Sequence, residues 1–247
     1  PVLCIASCLD ETAARQGQLH QMRDQEAAAA TVCDWSHTAR TADAAYQLVD
    51  RALGEFQSMR PRPKAIHVPI ELLETPAIAA SKPHGEMQPA YTPNAHVPDV
   101  AAALENAKKP LFIFGGGVAA RGPDFRSRQA QLAVEAFGAT SFTTYAARGL
   151  MGVDHPQDFG SYLARPDSAD VIAQADVVIA LGTTLSECDL WRDQLGHTGR
   201  LIRVDIDSQV AHDGHIADFV VIGDANDVLR DLATVYKPDT AIPKWDP

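Results

Sequence analysis

Residues able to meet a phosphate or a sugar recur at one kind of place in this 247-residue chain, directly after short apolar runs. Gly115, Gly116 and Gly117 follow LFIF, Gly182 and Thr183 follow DVVIAL, Asp205 and Asp207 follow LIRV, and Gly223 and Asp224 follow FVVI. Glycine lets backbone amides come close to a phosphate, a helix start behind the turn favours the anion, and an acidic group at a neighbouring strand end accepts from ribose hydroxyls. The pattern suits a dinucleotide. It equally suits a domain whose glycines turn tight corners and whose aspartates cap helices, because the turn reads GGGxxxxG and not G-x-G-x-x-G. Other chemistry is thinner. His212, Asp213, His215 and Asp218 share one loop with no second cluster to complete a metal site, and Glu187, Cys188 and Asp189 read as a strand-end loop. Neither a G-x-S-x-G elbow nor a Walker loop occurs, and no metal ligand set is expected.

The elements around these residues must bring them to one edge. Val100, Ala101, Leu104 and Ala107 make a helix face ahead of the LFIF strand, and Phe125, Leu132, Ala133, Ala136 and Phe137 make a second that ends at Gly138. Strands are expected at Ser141 to Thr144, Asp176 to Leu181, Leu201 to Val204 and Phe219 to Ile222. A helix face at Ala169 to Ala173 and a closing helix capped by Asn226 complete the set. This alternation predicts a doubly wound parallel α/β domain, Rossmann-like, with its ligand crevice beyond the carboxyl ends of the strands. Upstream, PVLCIAS reads as a buried strand, Ala27 to Ala30 as helical, and Thr41 to Asp43 as the cap of a helix with Ala45, Leu48, Val49, Ala52, Leu53 and Phe56 on one face. AIHVPI, Ala65 to Ile70, is a further strand of the buried kind. The first 75 residues thus predict strand, helix, helix, strand, part of a second parallel α/β domain with too few strands to close a core. Pro76, Pro83, Pro89, Pro93 and Pro98 mark a linker.

Lys and Arg number 21 against 32 Asp and Glu, a net charge of -11 that works against nucleic acid or anionic lipid as partner. No apolar run approaches the roughly 18 residues of a membrane span and no leader opens the chain, which predicts a cytoplasmic protein with no membrane partner. Cys4, Cys8, Cys33 and Cys188 suit neither a zinc knuckle nor a disulfide scaffold and are expected as reduced thiols.

The order of PVLCIAS, LHQMRDQ, WSH, RPRPKAIHVPIELL, a proline-rich stretch, KKPLFIFGGGVAARG, FGATSFTTYAARGLMGVDHP, ADVVIALGTTLSE, RLIRVDIDSQV and ADFVVIGDA carries a resemblance. It is similar to the thiamine-diphosphate-dependent enzymes of the acetolactate synthase, pyruvate oxidase and benzaldehyde lyase group. The resemblance covers nearly the whole chain. It implies that residues 1–75 are the carboxyl-terminal part of a pyrimidine-binding domain, 76–97 a linker, 98–237 the central domain and 238–247 the link to a third domain. For the full-length parent it implies thiamine diphosphate and magnesium as cofactors, a 2-oxo acid as substrate, decarboxylation or carboligation as reaction, and a homodimer or homotetramer. In the group, a glutamate upstream of the PVL strand activates the aminopyrimidine, and a Gly-Asp-Gly motif holds the diphosphate and metal. No Gly-Asp-Gly occurs in these 247 residues, so the chain is expected to be a fragment, inactive alone.

Gln21 occupies the place of a substrate-side glutamine, with His20 and Met22 where acetolactate synthases carry Phe and Glu, and Asp34 stands where many members carry Lys. LHQMRDQ and WSH resemble, more loosely, decarboxylases of a guanidino-bearing 2-oxo acid, which Asp34 would suit; as a plain surface residue, Asp34 is a solvated carboxylate. The central domain of the group binds FAD in some members and ADP in others. Gly115, Gly116, Gly117, Asp205, Asp207 and Asp224 match the positions that meet such a dinucleotide, whereas GTTLSE lacks the arginine of the acetolactate synthase loop. The alternative is a non-catalytic nucleotide-binding module built on the same sheet.

Overall fold

The structure is a computed structural model and describes residues 1–19, 22–77, 95–119, 123–235 and 244–245. The chain divides into two units, Pro1–Ala90 and Tyr91–Pro247. Much of the expected 76–97 linker lies outside the described residues.

The first unit runs β1 (Leu3–Cys8), α1 (Glu11–Arg15), α2 (Gln25–Ala30), β2 (Trp35–Thr38), α3 (Ala42–Ser58), β3 (Lys64–Pro69) and α4 (Ile70–Leu73). Its three strands are all parallel, in the order β1-β3-β2. Thr41 starts α3 as expected, its hydroxyl accepting from the Ala44 amide at 3.1 Å, and Asp24 does the same for α2 through the Ala27 amide at 2.8 Å. Its buried apolar cluster is small: Trp35, Ala39, Ala52 and Ile66, with Leu48, Val49 and Val68 packed against it. Two expectations fail here. The β2 strand was not legible, because WSHT is four residues long and half polar, without the β-branched run that signals a buried strand. PVLCIAS is a strand but not a buried one: among the described residues β1 pairs only with β3, and Cys4 and Ile5 are exposed.

The second unit runs α5 (Val97–Asn106), β4 (Pro110–Phe114), α6 (Gly116–Ala119), α7 (Pro123–Phe137), β5 (Thr140–Thr143), α8 (Ser168–Ala173), β6 (Val177–Leu181), α9 (Glu187–Leu190), β7 (Arg200–Asp205), α10 (Ser208–His212), β8 (Phe219–Ile222) and α11 (Ala225–Val235). All five strands are parallel, in the order β5-β4-β6-β7-β8, the doubly wound α/β arrangement expected. Every residue of β4 and β6 is buried. Side chains alternate between the two faces with period two. Phe112, Phe114, Ile179, Leu181, Ile202 and Val204 pack with Phe137, Leu229 and Leu232 on one face. Leu111, Ile113, Val178, Ala180 and Leu201 pack with Leu163, Ile172 and Leu195 on the other. Each large side chain so buried contributes roughly 1.5–3 kcal/mol. Beyond β5, residues 157–160 run along the strand: the Ser141 amide donates to Gln157 O at 2.8 Å and the Phe159 amide to Ser141 O at 2.8 Å. The cap of α11 is Asp224, whose Oδ1 accepts from the Asn226 amide at 2.8 Å, in place of the Asn226 cap expected. Among the described residues no helix is long and apolar enough to cross a membrane.

Candidate functional site

In an open parallel sheet the crossovers part where the strand order reverses, here between β4 and β6, and the crevice left there takes ligands. The two turns at this point close on each other. The Gly115 amide donates to Leu181 O at 2.9 Å and the Gly117 amide to Gly182 O at 2.9 Å. A Cβ on Gly115 would collide with the Gly182 carbonyl and the Thr183 side chain, and one on Gly182 would lie 2.7 Å from Gly117 Cα. Gly182 also sits at φ +60°, so glycine is required there twice over. Gly116 is under less constraint: its Cβ would meet only Ala146 Cβ, at 3.1 Å.

The other expected crevice residues are equally occupied. Thr183 is buried, its hydroxyl accepting from the Leu185 amide at 3.0 Å. Asp205 is buried and its Oδ1 accepts from the Asp207 amide at 2.9 Å. Asp207 caps α10 by accepting from the Gln209 amide at 3.0 Å. Asn226 Nδ2 donates to Gly117 O at 3.1 Å and to Asp224 Oδ1 at 3.3 Å, tying the α11 cap to the glycine turn. The structure therefore brings the expected residues of the second unit to one edge of the sheet, where they hold turns and caps. A diphosphate needs free amides and a ribose needs an available carboxylate. The Gly115 and Gly117 amides and Asp205 Oδ1 are engaged in these turn and cap contacts, and the buried Asn226 Oδ1, which lacks a partner among the described residues, is itself an acceptor.

Arg203 escaped the sequence reading. It lies in β7, only 1% exposed, donating from Nη1 to Asp213 O at 2.6 Å and from Nη2 to Thr183 O at 3.1 Å. The signal was a lone charge inside the apolar run LIRV. A buried cation persists only with such acceptors, so Arg203 fixes the loop after β6 and the loop after α10 together. Between those loops lies a cavity of about 410 Å³ whose lining includes Thr184, Leu185, Arg192, Val210, Asp213 and His215. Leu185 holds a left-handed φ of 50° while buried, and His215 Nε2 donates to its carbonyl at 3.2 Å. Burial pushes His215 down from the usual histidine range; the Leu185 carbonyl opposes this, and Arg203, His197 and Arg192 reinforce it. In the same loop Asp218 Oδ2 accepts from the Leu201 amide at 2.8 Å. Among the described residues no group of three or more His, Cys, Asp or Glu is placed to hold a metal ion.

The first unit has its own carboxyl edge. Gln25 opens α2, and its Nε2 donates to Ser7 O at 3.0 Å and to His67 Nδ1 at 3.0 Å. His67 is 3% exposed, and with Nδ1 accepting, its Nε2–H is the group that meets Ser36 Oγ at 2.8 Å. Glu26 accepts from the Thr38 hydroxyl at 2.6 Å and from its amide at 2.9 Å, and the hydroxyl chiefly holds its carboxyl below the usual range. Burial raises the Cys8 thiol, helped by Glu71 and opposed by Arg40. Gln21 lies outside the described residues. Asp34 stands at the opposite, amino end of β2, 3.1 Å from the Nζ of buried Lys64, which also meets Glu55 at 2.7 Å. It is an ion-pair partner, neither a bare surface carboxylate nor a group of the carboxyl edge.

The family model described as "Thiamine pyrophosphate enzyme, central domain" matches residues 97–232. A Pseudomonas aeruginosa protein named "Probable 2-ketoarginine decarboxylase AruI" is 32% identical over 239 residues, covering 94% of this chain and 41% of its own length. An acetolactate synthase of Mycobacterium leprae is 27% identical over 206 residues, 80% of this chain and 32% of its own. The X-ray structure of a "putative thiamin diphosphate-dependent enzyme" from Mycobacterium smegmatis superposes with a TM-score of 0.78 at 15% identity, covering 99% of this chain and 47% of that one, and shows the shared fold. The chain thus spans less than half the length of these relatives. With more than half of it matched by the central-domain model and nearly all of it aligned to a relative at 32% identity, the chain belongs to the thiamine pyrophosphate enzymes.

Proposed function

We propose that this chain serves thiamine-diphosphate-dependent decarboxylation of a 2-oxo acid, and that a 2-oxo acid with a cationic guanidino tail is the first substrate to try. The observation that carries the reading is the 32% identity, along 94% of the chain, to the relative named as a 2-ketoarginine decarboxylase. Glu71 and Glu26 lie near Cys8 at the carboxyl edge of the first unit with Arg40 beside them, so two carboxylates against one guanidinium face a cationic tail there. Thiamine diphosphate, when bound, supplies the nucleophile for the keto carbon and the sink for the electrons released with carbon dioxide. In this reading residues 1–75 belong to a pyrimidine-binding domain, 98–237 form the central domain, and Gln21 lies on the substrate side. The described residues offer magnesium no ligand cluster, and no step is assigned to it. A homodimer or homotetramer and a cytoplasmic setting complete the proposal, the latter supported by four free thiols.

The test is carbon dioxide release from a panel of 2-oxo acids by the product of the complete reading frame, with thiamine diphosphate and magnesium added. Turnover fastest with the guanidino acid is expected; no release from any member of the panel overturns the reading. Residues 1–247 alone, which contain no Gly-Asp-Gly motif, are expected to release none. We infer also that the central crevice keeps its shape without a nucleotide. Calorimetric titration of the 247-residue chain with FAD and ADP is expected to show no heat, and saturable binding of either one below about 100 μM would sink that inference.

A further inference from the structure

The cavity between the loop after β6 and the loop after α10 lies wholly within the second unit and takes no part in the function proposed above. At about 410 Å³ it has room for a small molecule. Leu185 and Val210 give it apolar wall, and Glu187, Asp193 and Asp213 give it three carboxylates, all on exposed residues. Among the described residues none of the three is in an ion pair. His215 adds a further acceptor. Its Nε2 donates to the Leu185 carbonyl at 3.2 Å, burial favours its neutral form, and a neutral imidazole protonated at Nε2 leaves Nδ1 to accept. The one fixed cation of the lining, Arg192, is turned to the fold: Nη1 donates to Leu163 O at 2.9 Å and Leu190 O at 3.1 Å, and Nη2 to Leu195 O at 3.1 Å. Acceptors thus outnumber the donors that face them. A metal ion does not suit them, since no three His, Cys, Asp or Glu among the described residues are placed to hold one. A ligand with several N–H groups on an apolar stem does, because charge-assisted bonds from such groups to carboxylates are the strong ones.

We propose that this cavity binds a small organic cation, an aliphatic chain ending in a guanidinium or ammonium group, with the stem against Leu185 and Val210 and the N–H groups on Glu187, Asp193, Asp213 and His215 Nδ1. The two loops that form its walls are already joined through Arg203, which donates to Asp213 O and Thr183 O, so the walls are set before a ligand arrives. Binding does not rest on the decarboxylase reading. The natural ligand's identity does: there substrate and product both end in a guanidinium, and the cavity is a second place for either, besides the one where it reacts.

The experiment is calorimetric titration of the 247-residue chain with butylguanidinium, butylammonium and pentanoate, probes of similar length and opposite charge. Saturable binding of both cations is expected, with Kd below about 5 mM, and none of pentanoate. Glu187→Gln and Asp213→Asn keep the shape and remove one charge each, and each should weaken the cations about tenfold. Val210→Trp fills the cavity and should abolish binding. Asp170→Asn removes an exposed carboxylate of α8, outside the cavity, and should change nothing. If Val210→Trp fails to fold, the two amide variants carry the comparison. The proposal is overturned by the absence of saturable heat with either cation up to about 20 mM, by pentanoate binding as well as the cations, or by binding that both amide variants leave unchanged. Turnover is not read, so a negative result here leaves the decarboxylase reading standing, and a failure of that reading leaves the cavity's binding to be decided by the titration.

Discussion

The two units are both parallel α/β sheets, yet they are held by different means. In the second, β4 and β6 are buried along their whole length, and apolar layers cover both faces. In the first, a small apolar set is supplemented by charged and polar groups: Lys64 between Asp34 and Glu55, Trp35 and Arg51 on the same Glu55, and the Gln25–His67–Ser36 chain. A sheet buried on both sides can leave its specification to backbone fit and apolar volume. One with a partly exposed edge strand relies on directional bonds, which makes it more sensitive to pH and less to side-chain volume.

That contrast can be broken or sharpened. The largest effect is expected at Gly182→Ala, where the left-handed φ and the approach to Gly117 and Val118 backbone cannot both be kept; a loss of at least about 3 kcal/mol should appear in urea unfolding of the second unit. Arg203→Met leaves Thr183 O and Asp213 O without their donor and should cost the same unit about 2–4 kcal/mol. The pH response separates the units. Partial burial would raise the Glu55 carboxyl, but hydrogen bonds from Lys64, Trp35 and Arg51 outweigh it and bring it from 4.5 to about 2. Its stabilisation is complete above the unfolded value and is lost as pH falls toward 2; allowing for partial exposure, about 1–2 kcal/mol of the first unit's stability should go. In the second unit, burial raises the Asp158 carboxyl, although Ser141 donates to it at 2.7 Å. That group favours folding below its unfolded value and loses the effect as pH rises through its folded one, so acid acts in opposite senses on the two. With Trp191 and Trp245 replaced by Phe, Trp35 fluorescence during urea unfolding at pH 5 and pH 3 reports the first unit alone. The smallest effect is expected at Gly116→Ala, under about 1 kcal/mol, because only Ala146 Cβ must give way. A large loss there would place the turn's tightness at the wrong glycine.

The parts legible in the sequence are those fixed by local pattern. Continuous apolar runs bounded by glycine located β4, β6, β7 and β8 to within a residue or two, and Thr41 located the start of α3. The expected crevice residues were found at the right edge because chain connectivity places every post-strand residue there. Their use was not legible. Whether a glycine amide is free depends on which other turn faces it, and GGGVAARG says nothing of Gly182. Nor could LIRV disclose that Arg203 reaches carbonyls at Thr183 and Asp213, or WSHT that Ser36 lies beside His67, since both pairings come from tertiary approach. Asp34 was read by its chemistry, and its place at the amino end of β2 decided against that reading.

The cover along β5 has a consequence for how the protein behaves in concentrated solution. An uncovered strand is a template on which another molecule can add its own, and most sheets avoid offering one. Residues 157–160 take hydrogen bonds along β5 from outside and leave that strand with little to offer a second molecule. On the far side β8 is only four residues long, which limits the length of any match. Among the described residues β2, at one edge of the first sheet, has only four residues, whereas β1 at the other has six, pairs on one side only, and carries exposed Ile5 and Cys4 with Val2 beside them. Self-association of these 247 residues should therefore begin at β1, and a lysine at Ile5 should keep the chain dispersed where the parent sequence forms oligomers on concentration.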